Sequence, residues 1–199
     1  MSGSSGPARI ADLHKSAFWI YGITAMVMRE PVAMVVRHAA SAGVTDPDVR
    51  AELLRTIVVL GMMSRLFLAA GLYFDEVYLR PDSASRFVRR SYPIDFMAGM
   101  LHFLLAMGAS TVIAGAPAAY AAAVAIYFLF EPLRWAAART MQYSAAALLA
   151  GPALTATLSC VLWLAAYKWA PATVAYLLLM ALTAWEIAKL VRQYNSQQA

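Results

Sequence analysis

The stretch MQYSAAALLAGPALTATLSCVLWLAAY, residues 141–167, runs for 27 residues without one charged side chain. An α-helix rises about 1.5 Å per residue, so a helix of this length exceeds the roughly 30 Å of hydrocarbon in a bilayer. A second stretch, residues 96–130, also lacks Asp, Glu, Lys and Arg, and apart from tyrosines its one ionisable group is His102. Two such stretches indicate a chain that crosses a membrane.

The composition of the whole chain is also that of a membrane protein. Hydrophobic residues make up 62% of the 199 residues and charged residues 14%, against about 45–50% and about 25% in soluble domains. Polar and apolar residues do not alternate over about ten residues, which disfavours a transmembrane β-barrel. Lipid offers the backbone no hydrogen-bond partners, so each segment must satisfy its own, as a helix does. We therefore predict an all-α, polytopic integral membrane helical bundle.

A single transmembrane domain is predicted over residues 17–193, between a disordered lead-in at residues 1–16 and a polar tail at residues 194–199. Its six predicted helices cover residues 17–41, 52–74, 93–114, 117–139, 142–166 and 171–193. Two turn-forming sequences, Asp46-Pro47-Asp48 and residues 80–83, mark the polar connections.

The first predicted helix is the least regular, because Arg29, Glu30 and Pro31 lie near its middle. Three interpretations are open: a crossing helix kinked at Pro31, a broken crossing helix with functional polar groups, and an interfacial helix that does not cross. The crossing interpretations are preferred and give six transmembrane helices. The interfacial interpretation gives five.

The distribution of lysine and arginine predicts the orientation. If the N-terminus is cytoplasmic, ten of the sixteen Lys and Arg residues fall on the cytoplasmic side, four fall on the opposite side, and Arg29 and Arg65 lie within helices. Positive residues are enriched on the cytoplasmic side, so we expect both termini in the cytoplasm and the protein in an inner or plasma membrane. The arginines are not gathered on one polar face, which argues against nucleic-acid binding despite the net charge of +5.

The third predicted helix carries a polar stripe. Asp95, Gly99, His102, Ala106 and Ala109 follow a four-three spacing that keeps them on one helix face. A charged side chain at the bilayer centre costs about 2.5–3.5 kcal/mol, so this face should meet other helices. Asp95 and His102 are about 10 Å apart along the helix, and only a water or another helix can connect them.

Two interpretations of this stripe compete. In the functional one, Asp95 and His102 belong to a proton or cation relay, because histidine titrates near physiological pH. In the structural one, Asp95 caps the helix start after Pro93 and His102 bonds a neighbouring backbone carbonyl. Buried ionisable groups also occur in purely structural networks, and we prefer the structural interpretation.

Arg65 lies deep in the second predicted helix, too far from its end to reach the interface easily. We expect it to pair with an acidic side chain, and the candidates are Glu30, Asp95 and Glu131. A bidentate pair with a carboxylate is the least costly arrangement. Such a pair serves either as structural glue or as a gate, and the structural role is slightly preferred.

The fourth predicted helix places Glu131 three residues before Arg134, beside Pro132. These groups either line a cavity or form an ion pair at headgroup level, and their position near the helix end favours the headgroup. Glu186 and Lys189 in the last predicted helix have the same interpretation. Tryptophans such as Trp163 lie mostly near predicted helix ends, which is typical of an interfacial aromatic belt.

Known catalytic motifs are missing from the sequence: there is no phosphate loop, HExxH helix, GxSxG elbow or dinucleotide fingerprint. Three histidines, one of them deep in a span, do not supply paired ligands for two haems. A single cysteine provides neither an intramolecular disulfide nor a thiolate metal cluster. We predict no catalytic residues, no metal and no cofactor.

Three function classes remain. We rank first a small channel or transporter that moves protons or cations through a path lined by intramembrane ionisable side chains, in a homo-oligomer because short helices enclose little space alone. The path residues are predicted to be Asp95, His102, Arg65, Glu131 and Glu30. The second class is a noncatalytic membrane subunit or scaffold of a larger complex. The third is a lipid-modifying membrane enzyme with Asp95 and His102 as acid and base.

Overall fold

A computed structural model describes Gly22, Met26 and residues 28–74, 86–141 and 146–198; within these ranges, the side chains of residues 74, 86–93, 146–148, 193–194 and 196–198 are not described. The described chain is all-helical. Its helices are α1 (Arg29–Ala42), α2 (Pro47–Phe74), α3 (Arg86–Thr111), α4 (Pro117–Thr140), α5 (Ala146–Trp169) and α6 (Ala172–Gln198). Five of them, α2 to α6, are long and apolar enough to cross a membrane. The predicted all-α membrane bundle is confirmed.

Helix α1 is short and packs against α2. Its 14 residues rise about 21 Å, less than the hydrocarbon thickness of a bilayer. It ends at Gly43, whose φ of 86° only glycine adopts without strain, and whose N–H bonds the carbonyl of Ala39 at 3.0 Å. Among the described residues there are thus five candidate spans. Most of the predicted segment before residue 28 lies outside the described residues, so its crossing stays a prediction.

Helix α2 begins five residues earlier than residue 52, where the sequence predicts its start. The Asp46 carboxylate accepts hydrogen bonds from the N–H groups of Asp48 at 2.8 Å and Val49 at 3.2 Å. Asp46 is therefore the N-cap and Pro47 the first helical residue, an order in which the missing proline N–H costs nothing. The turn-forming sequence proposed as a connection is a helix start.

Helix α3 also begins earlier than predicted, at Arg86 in place of residue 93. Pro93 therefore lies inside the helix, and Asp95 is in its third turn. The prediction that Asp95 caps the helix start is wrong. A proline in a helix interior removes one backbone hydrogen bond, but beside lipid an abandoned helix would leave many backbone groups unsatisfied, so the helix continues through it.

The other helix ends lie close to their predicted positions. Helix α4 matches within one residue, and α5 ends three residues later than predicted. The first four residues predicted for α5, 142–145, lie outside the described residues. Helix α6 continues to Gln198, through most of the segment predicted as a polar tail.

The five long helices pack in a ring, in the order α2, α3, α4, α5, α6 and back to α2. Short connections at residues 112–116 and 170–171 make the helices they join antiparallel. The ring has two ends: the Pro47 end, which includes both of these connections, and the Thr140 end, which includes the ends of α2 and α4. Large apolar side chains such as Ile94, Leu133 and Trp185 are more than 60% exposed, as expected of surfaces that face lipid.

Helices α2 and α6 approach closely at Gly61. A Cβ atom placed on Gly61 would lie 2.9 Å from Cγ2 of Thr183, a separation that real Cβ atoms do not tolerate. Small residues allow such approaches where lipid supplies no hydrophobic force between helices. The contact holds the next turns of both helices, with Arg65 on α2 and Glu186 on α6, against each other.

Candidate functional site

Arg65 is buried and forms an ion pair with Glu186, from its Nε to the carboxylate Oε2. The partners predicted for Arg65, namely Glu30, Asp95 and Glu131, are wrong. Glu186 follows Thr183 by almost one turn, as Arg65 follows Gly61, so the close helix contact brings the two together. In the sequence, Glu186 resembles an interfacial residue paired with Lys189. For this reason its burial was not predicted.

His102 and Glu131 meet in the middle of the ring, between α3 and α4. The imidazole Nδ1 lies 3.2 Å from Glu131 Oε1, and Nε2 lies 3.2 Å from the backbone oxygen of Tyr127. Both side chains are buried. The predicted bond from His102 to a backbone carbonyl is confirmed, whereas the preferred placement of Glu131 at headgroup level is wrong.

Proline and aromatic side chains shape the surroundings of His102. Pro132 lies inside α4 and lacks the N–H that would bond the carbonyl of Phe128. The adjacent carbonyl, that of Tyr127, faces His102. The imidazole also contacts the rings of Tyr127 and Phe130, with centroids 4.5 and 4.8 Å away. These contacts fix the orientation of the imidazole.

Asp95 lies one level nearer the Thr140 end and contacts Arg134 and Tyr73. Its Oδ1 is 3.1 Å from Nη2 of Arg134, and its Oδ2 accepts a hydrogen bond of 2.9 Å from the Tyr73 hydroxyl. The guanidinium of Arg134 also lies over the Tyr73 ring, 4.9 Å from its centroid. Arg134 thus pairs across to α3. Because Glu131 and Arg134 are neighbours on α4, this helix supplies the link between Asp95 and His102 that the sequence requires.

Tyr127 connects the two ion-paired regions. Its hydroxyl donates to the backbone oxygen of Met62 at 3.0 Å and accepts a longer bond, 3.4 Å, from Nη1 of Arg65. The following six side chains are called the charge network from here on: Arg65, Asp95, His102, Glu131, Arg134 and Glu186. Glu30 does not belong to it, since it pairs with Arg37 at 2.7 Å on the exposed side of α1.

Two cavities adjoin the charge network. The smaller, of about 50 Å³, is lined by Asp95, His102, Glu131 and Arg134 among others, and has room for one or two waters at about 30 Å³ each. The larger, of about 240 Å³, is lined by Arg65 and Glu186 among others. Ala69 and Pro152 line both cavities.

The charges of the network do not cancel when His102 is neutral. The network then contains two guanidinium groups and three carboxylates. This leaves one net negative charge in a buried environment, where an unbalanced charge is costly. Within the described part of the chain, Glu131 Oε2 and His102 Nδ1 have no hydrogen-bond partner, and neither does Arg134 Nε. One added proton brings the network to neutrality.

The contacts of His102 place that proton. A backbone carbonyl only accepts hydrogen bonds, so Nε2 must carry a hydrogen to bond Tyr127. In a neutral imidazole Nδ1 then presents a lone pair to the Glu131 carboxylate, an unfavourable contact at 3.2 Å. A proton on either Nδ1 or Glu131 makes this contact attractive. The His102–Glu131 contact therefore accommodates one proton more than a neutral imidazole and an ionised carboxylate carry.

Arg55 is one of the four Lys and Arg residues that the sequence assigns to the side opposite the cytoplasm, and it is buried near the Pro47 end. Its Nε donates to the Tyr176 hydroxyl at 2.8 Å, and its Nη1 donates to the backbone oxygens of Ile113 at 2.7 Å and Gly115 at 3.1 Å. The rings of Tyr120 and Tyr176 lie 5.5 and 5.6 Å from the guanidinium carbon. The early start of α2 moves Arg55 into the third turn, and the Asp46 cap was the available signal.

Trp163 packs beside Arg55 in the same region. Its ring contacts Tyr120 and Tyr176, with centroids 6.2 and 5.8 Å away, and its indole N–H donates to the backbone oxygen of Ala121 at 3.1 Å. The assignment of Trp163 to an interfacial belt is wrong. Arg55, Tyr120, Trp163 and Tyr176 are called the Arg55 cluster below, and they fill the interior at the Pro47 end.

Comparison with known proteins gives no guide to the role of these sites. No family model, curated protein or solved structure matches the chain. Among the described residues, no three His, Cys, Asp or Glu side chains are grouped so as to hold a metal ion. Function must therefore be inferred from the charge network itself.

Proposed function

We propose that the protein is a small membrane channel or transporter that moves protons, with the His102–Glu131 pair as the proton-binding site. The observation that carries this proposal is that a missing positive charge and a missing proton coincide at the His102–Glu131 contact. The network lacks one positive charge, and the His102–Glu131 contact lacks one proton. Histidine and carboxylate chains inside bundles are the usual components of intramembrane proton relays.

The arrangement of the network suggests from which end of the bundle this proton reaches the His102–Glu131 pair. His102 lies at the middle of the span 94–111, and Asp95 lies at its Thr140 end. The cavity of about 50 Å³ touches both groups, so one or two waters can link the carboxylates of Glu131 and Asp95. We propose that protons enter and leave the His102–Glu131 pair through this cavity from the Thr140 end.

The Arg55 cluster occupies the interior on the opposite side of His102. A route through to the Pro47 end therefore requires either an opening of this packing or an interface between copies of the chain. This favours a carrier or an oligomeric channel over a pore that stays open within one chain.

The orientation of the bundle is part of the proposal. More Lys and Arg residues belong to the parts of the sequence near the Thr140 end, namely Arg86, Arg89, Arg90, Arg139, Lys189 and Arg192, with Arg80 in the sequence between α2 and α3. Fewer belong to the Pro47 end, namely Arg50, Arg55 and Lys168. By the positive-inside rule the Thr140 end and the C-terminus are cytoplasmic, in an inner or plasma membrane. The N-terminus is cytoplasmic as well if residues 17–41 cross.

Proton flux into proteoliposomes tests the proposal. The purified chain is reconstituted with a pH-sensitive dye inside, and a potassium diffusion potential drives proton entry. We expect Glu131→Gln and His102→Gln to lower the flux by about tenfold or more, because each removes one of the two groups that share the proton. The matched controls are Glu30→Gln and His38→Gln, which make the same chemical changes in α1.

Folded yield by gel filtration distinguishes loss of flux from loss of protein. Wild-type flux in well-folded Glu131→Gln and His102→Gln would contradict the proposal. So would an equal decrease in the α1 controls, since these residues lie outside the charge network.

A noncatalytic subunit or scaffold is the second candidate. The supporting observation is that Arg65 and Arg134 each contact a carboxylate on another helix, as structural ties do. In that case no proton flux above that of empty liposomes is expected from the wild type. Arg65→Leu would then dissociate an assembly or lower stability, with no transport activity to lose.

A further inference from the structure

The cavity of about 240 Å³ between α2, α5 and α6 is separate from the His102–Glu131 pair, which does not line it. Each of its three helices contributes a polar side chain. Arg65 comes from α2, Thr155 from α5, and Glu186 with Lys189 from α6, while the rest of the lining is small or apolar. Few polar groups in a mostly apolar cavity are typical of small-molecule sites.

Two oxygen atoms of this lining can only accept hydrogen bonds from a ligand. The Thr155 hydroxyl uses its hydrogen for the backbone oxygens of Gly151 at 3.3 Å and Pro152 at 3.0 Å. Glu186 engages Arg65 through Oε2, and its Oε1 has no hydrogen-bond partner in the described part of the chain. A buried carboxylate oxygen without a partner is costly, so a ligand that brings N–H donors is favoured.

The positive charge of Lys189 favours an anionic group on the ligand as well. Arg65 and Glu186 neutralise each other as an ion pair. Among the described residues of the lining, Lys189 is the remaining charged one. It lies one turn nearer the Thr140 end, is exposed, and has no second carboxylate beside it in this described set. An occupant with a donor group at Glu186 and an anionic group at Lys189 satisfies both.

The enclosed volume of about 240 Å³ lies below the roughly 300–1,000 Å³ of sites for drug-sized ligands. This favours a small polar group as the part that is bound. Because the cavity is open on one side, a larger molecule can also place such a group inside it.

We propose that this cavity binds small zwitterions in which a short carbon linker joins a primary ammonium group to a carboxylate or phosphate. The ammonium donates to Glu186 and Thr155, and the anionic group pairs with Lys189. Two sources share this chemistry: free amino acids, and the ethanolamine headgroup of a phospholipid. Binding needs no proton gradient, so this proposal stands or falls independently of proton transport.

Isothermal titration of the purified full chain in detergent tests the proposal. The probes are L-alanine, L-leucine and phosphoethanolamine, and acetate and ethylammonium each carry one half of the zwitterion. We expect the zwitterions to bind about tenfold more tightly than either half, because both ends are recognised. Equal affinity for the zwitterions and the halves would overturn the proposal, as would no binding of any probe together with equal melting temperatures in phosphatidylethanolamine and phosphatidylglycerol.

A lipid arm identifies the source. The chain is placed in nanodiscs of phosphatidylethanolamine or of phosphatidylglycerol, and titrated with L-leucine. Competition by phosphatidylethanolamine alone, or a higher melting temperature in that lipid without binding of free probes, assigns the site to the headgroup. Equal binding of L-leucine in both lipids assigns it to free amino acids.

Two variants test the position of the site without breaking the buried ion pair. Thr155→Val and Lys189→Met are expected to weaken zwitterion binding by about tenfold each, about 1.4 kcal/mol. Thr157→Val and Lys168→Met are the matched controls, because Thr157 bonds the backbone oxygen of Ala153 and neither residue lines the cavity. Unchanged affinity in Thr155→Val and Lys189→Met would show that any bound zwitterion lies elsewhere.

Discussion

The two ends of the ring bury arginine in opposite ways. Arg55 is surrounded by aromatic rings, a tyrosine hydroxyl and two backbone oxygens beyond the end of α3, and no carboxylate within the described residues forms an ion pair with it. Arg65 and Arg134 instead meet carboxylates, with polar atoms left over and cavities beside them. This difference indicates that Arg55 holds helices together, whereas Arg65 and Arg134 lie beside polar atoms to which we propose that a proton or a ligand binds.

The surroundings of Arg55 explain why it needs no acid. The carbonyl groups that follow the last turn of a helix carry partial negative charge, and Ile113 and Gly115 present two of them to one nitrogen. Aromatic faces add a further attraction for a cation. Such an arrangement does not change with pH. We propose that the charge network does, because the His102–Glu131 contact accommodates one more proton.

The largest effect is expected from Arg65→Leu, which would show whether the charge network also stabilises the fold. The change leaves Glu186 buried and unpaired, and breaking a buried pair in this way costs about 3–5 kcal/mol. The double variant Arg65→Leu/Glu186→Leu should recover most of this free energy of unfolding, because apolar pairs often replace buried ion pairs without loss. Unfolding in mixed micelles measures both. A double variant as unstable as the single one would contradict the pairing.

A smaller loss of stability is expected from Arg55→Met, and it directly tests the contrast between the two ends. Removing a charged donor leaves two backbone oxygens and a tyrosine unsatisfied, at a cost of about 2–3 kcal/mol. Proton flux per folded molecule should not fall below the wild-type level, because Arg55 lies outside the charge network and its cluster closes the interior on the Pro47 side. The flux assay and a melting curve on one sample check this. Lost flux in a stable Arg55→Met protein would show that the two ends work as one unit.

Gly61→Ala probes the boundary between the two ends. The added methyl group would lie 2.9 Å from Cγ2 of Thr183, and such overpacking costs about 1–3 kcal/mol. Thr183→Ser removes the clashing methyl group and keeps the hydroxyl that bonds Leu179, so it should rescue Gly61→Ala. Gly71→Ala is the matched control, since its Cβ would meet nothing within 4 Å. A melting curve that shows equal losses for the two alanine variants would refute the close contact.

The smallest effect is expected from His38, which lies outside both regions and serves as a pH reference. Its hydrogen bond to Glu52, at 2.9 Å, raises the pKa of the imidazole above its ordinary value of 6.5. The stability that this bond contributes is therefore fully present below pH 6.5 and is lost as the pH rises through the raised pKa. Melting temperatures between pH 5.5 and 8 should fall slightly more in the wild type than in His38→Gln. Parallel curves would mean that this contact adds no stability.

The membrane class could be predicted from the sequence because it depends on composition and on uncharged length, which need no knowledge of packing. The central helix α4 was predicted within one residue for the same reason. Helix starts were harder. Asp46-Pro47 and Pro93 are turn signals in soluble proteins, and beside lipid the backbone stays helical through or directly after them.

Four of the six members of the charge network were predicted as site residues, whereas the other two and the pairings were not. The four are Arg65, Asp95, His102 and Glu131. The four-three spacing of Asp95 and His102 correctly indicated one buried face. Which helix supplies each partner depends on the cyclic order of the ring, which one sequence does not contain. Thus Glu186 was placed at the interface although it neutralises Arg65, and Glu30 was included although it lies on the exposed side of α1.

Ala69 and Pro152 line both cavities, so at this point a single layer of side chains separates them. Two unit charges about 10 Å apart interact by about 1.7 kcal/mol at an effective dielectric constant near 20, which corresponds to more than a tenfold change in proton affinity. The ammonium group of the proposed zwitterion at Glu186 would therefore lower the proton affinity of the proposed site at His102 and Glu131 through its field alone. Such coupling between the two cavities would need no helix to tilt or slide.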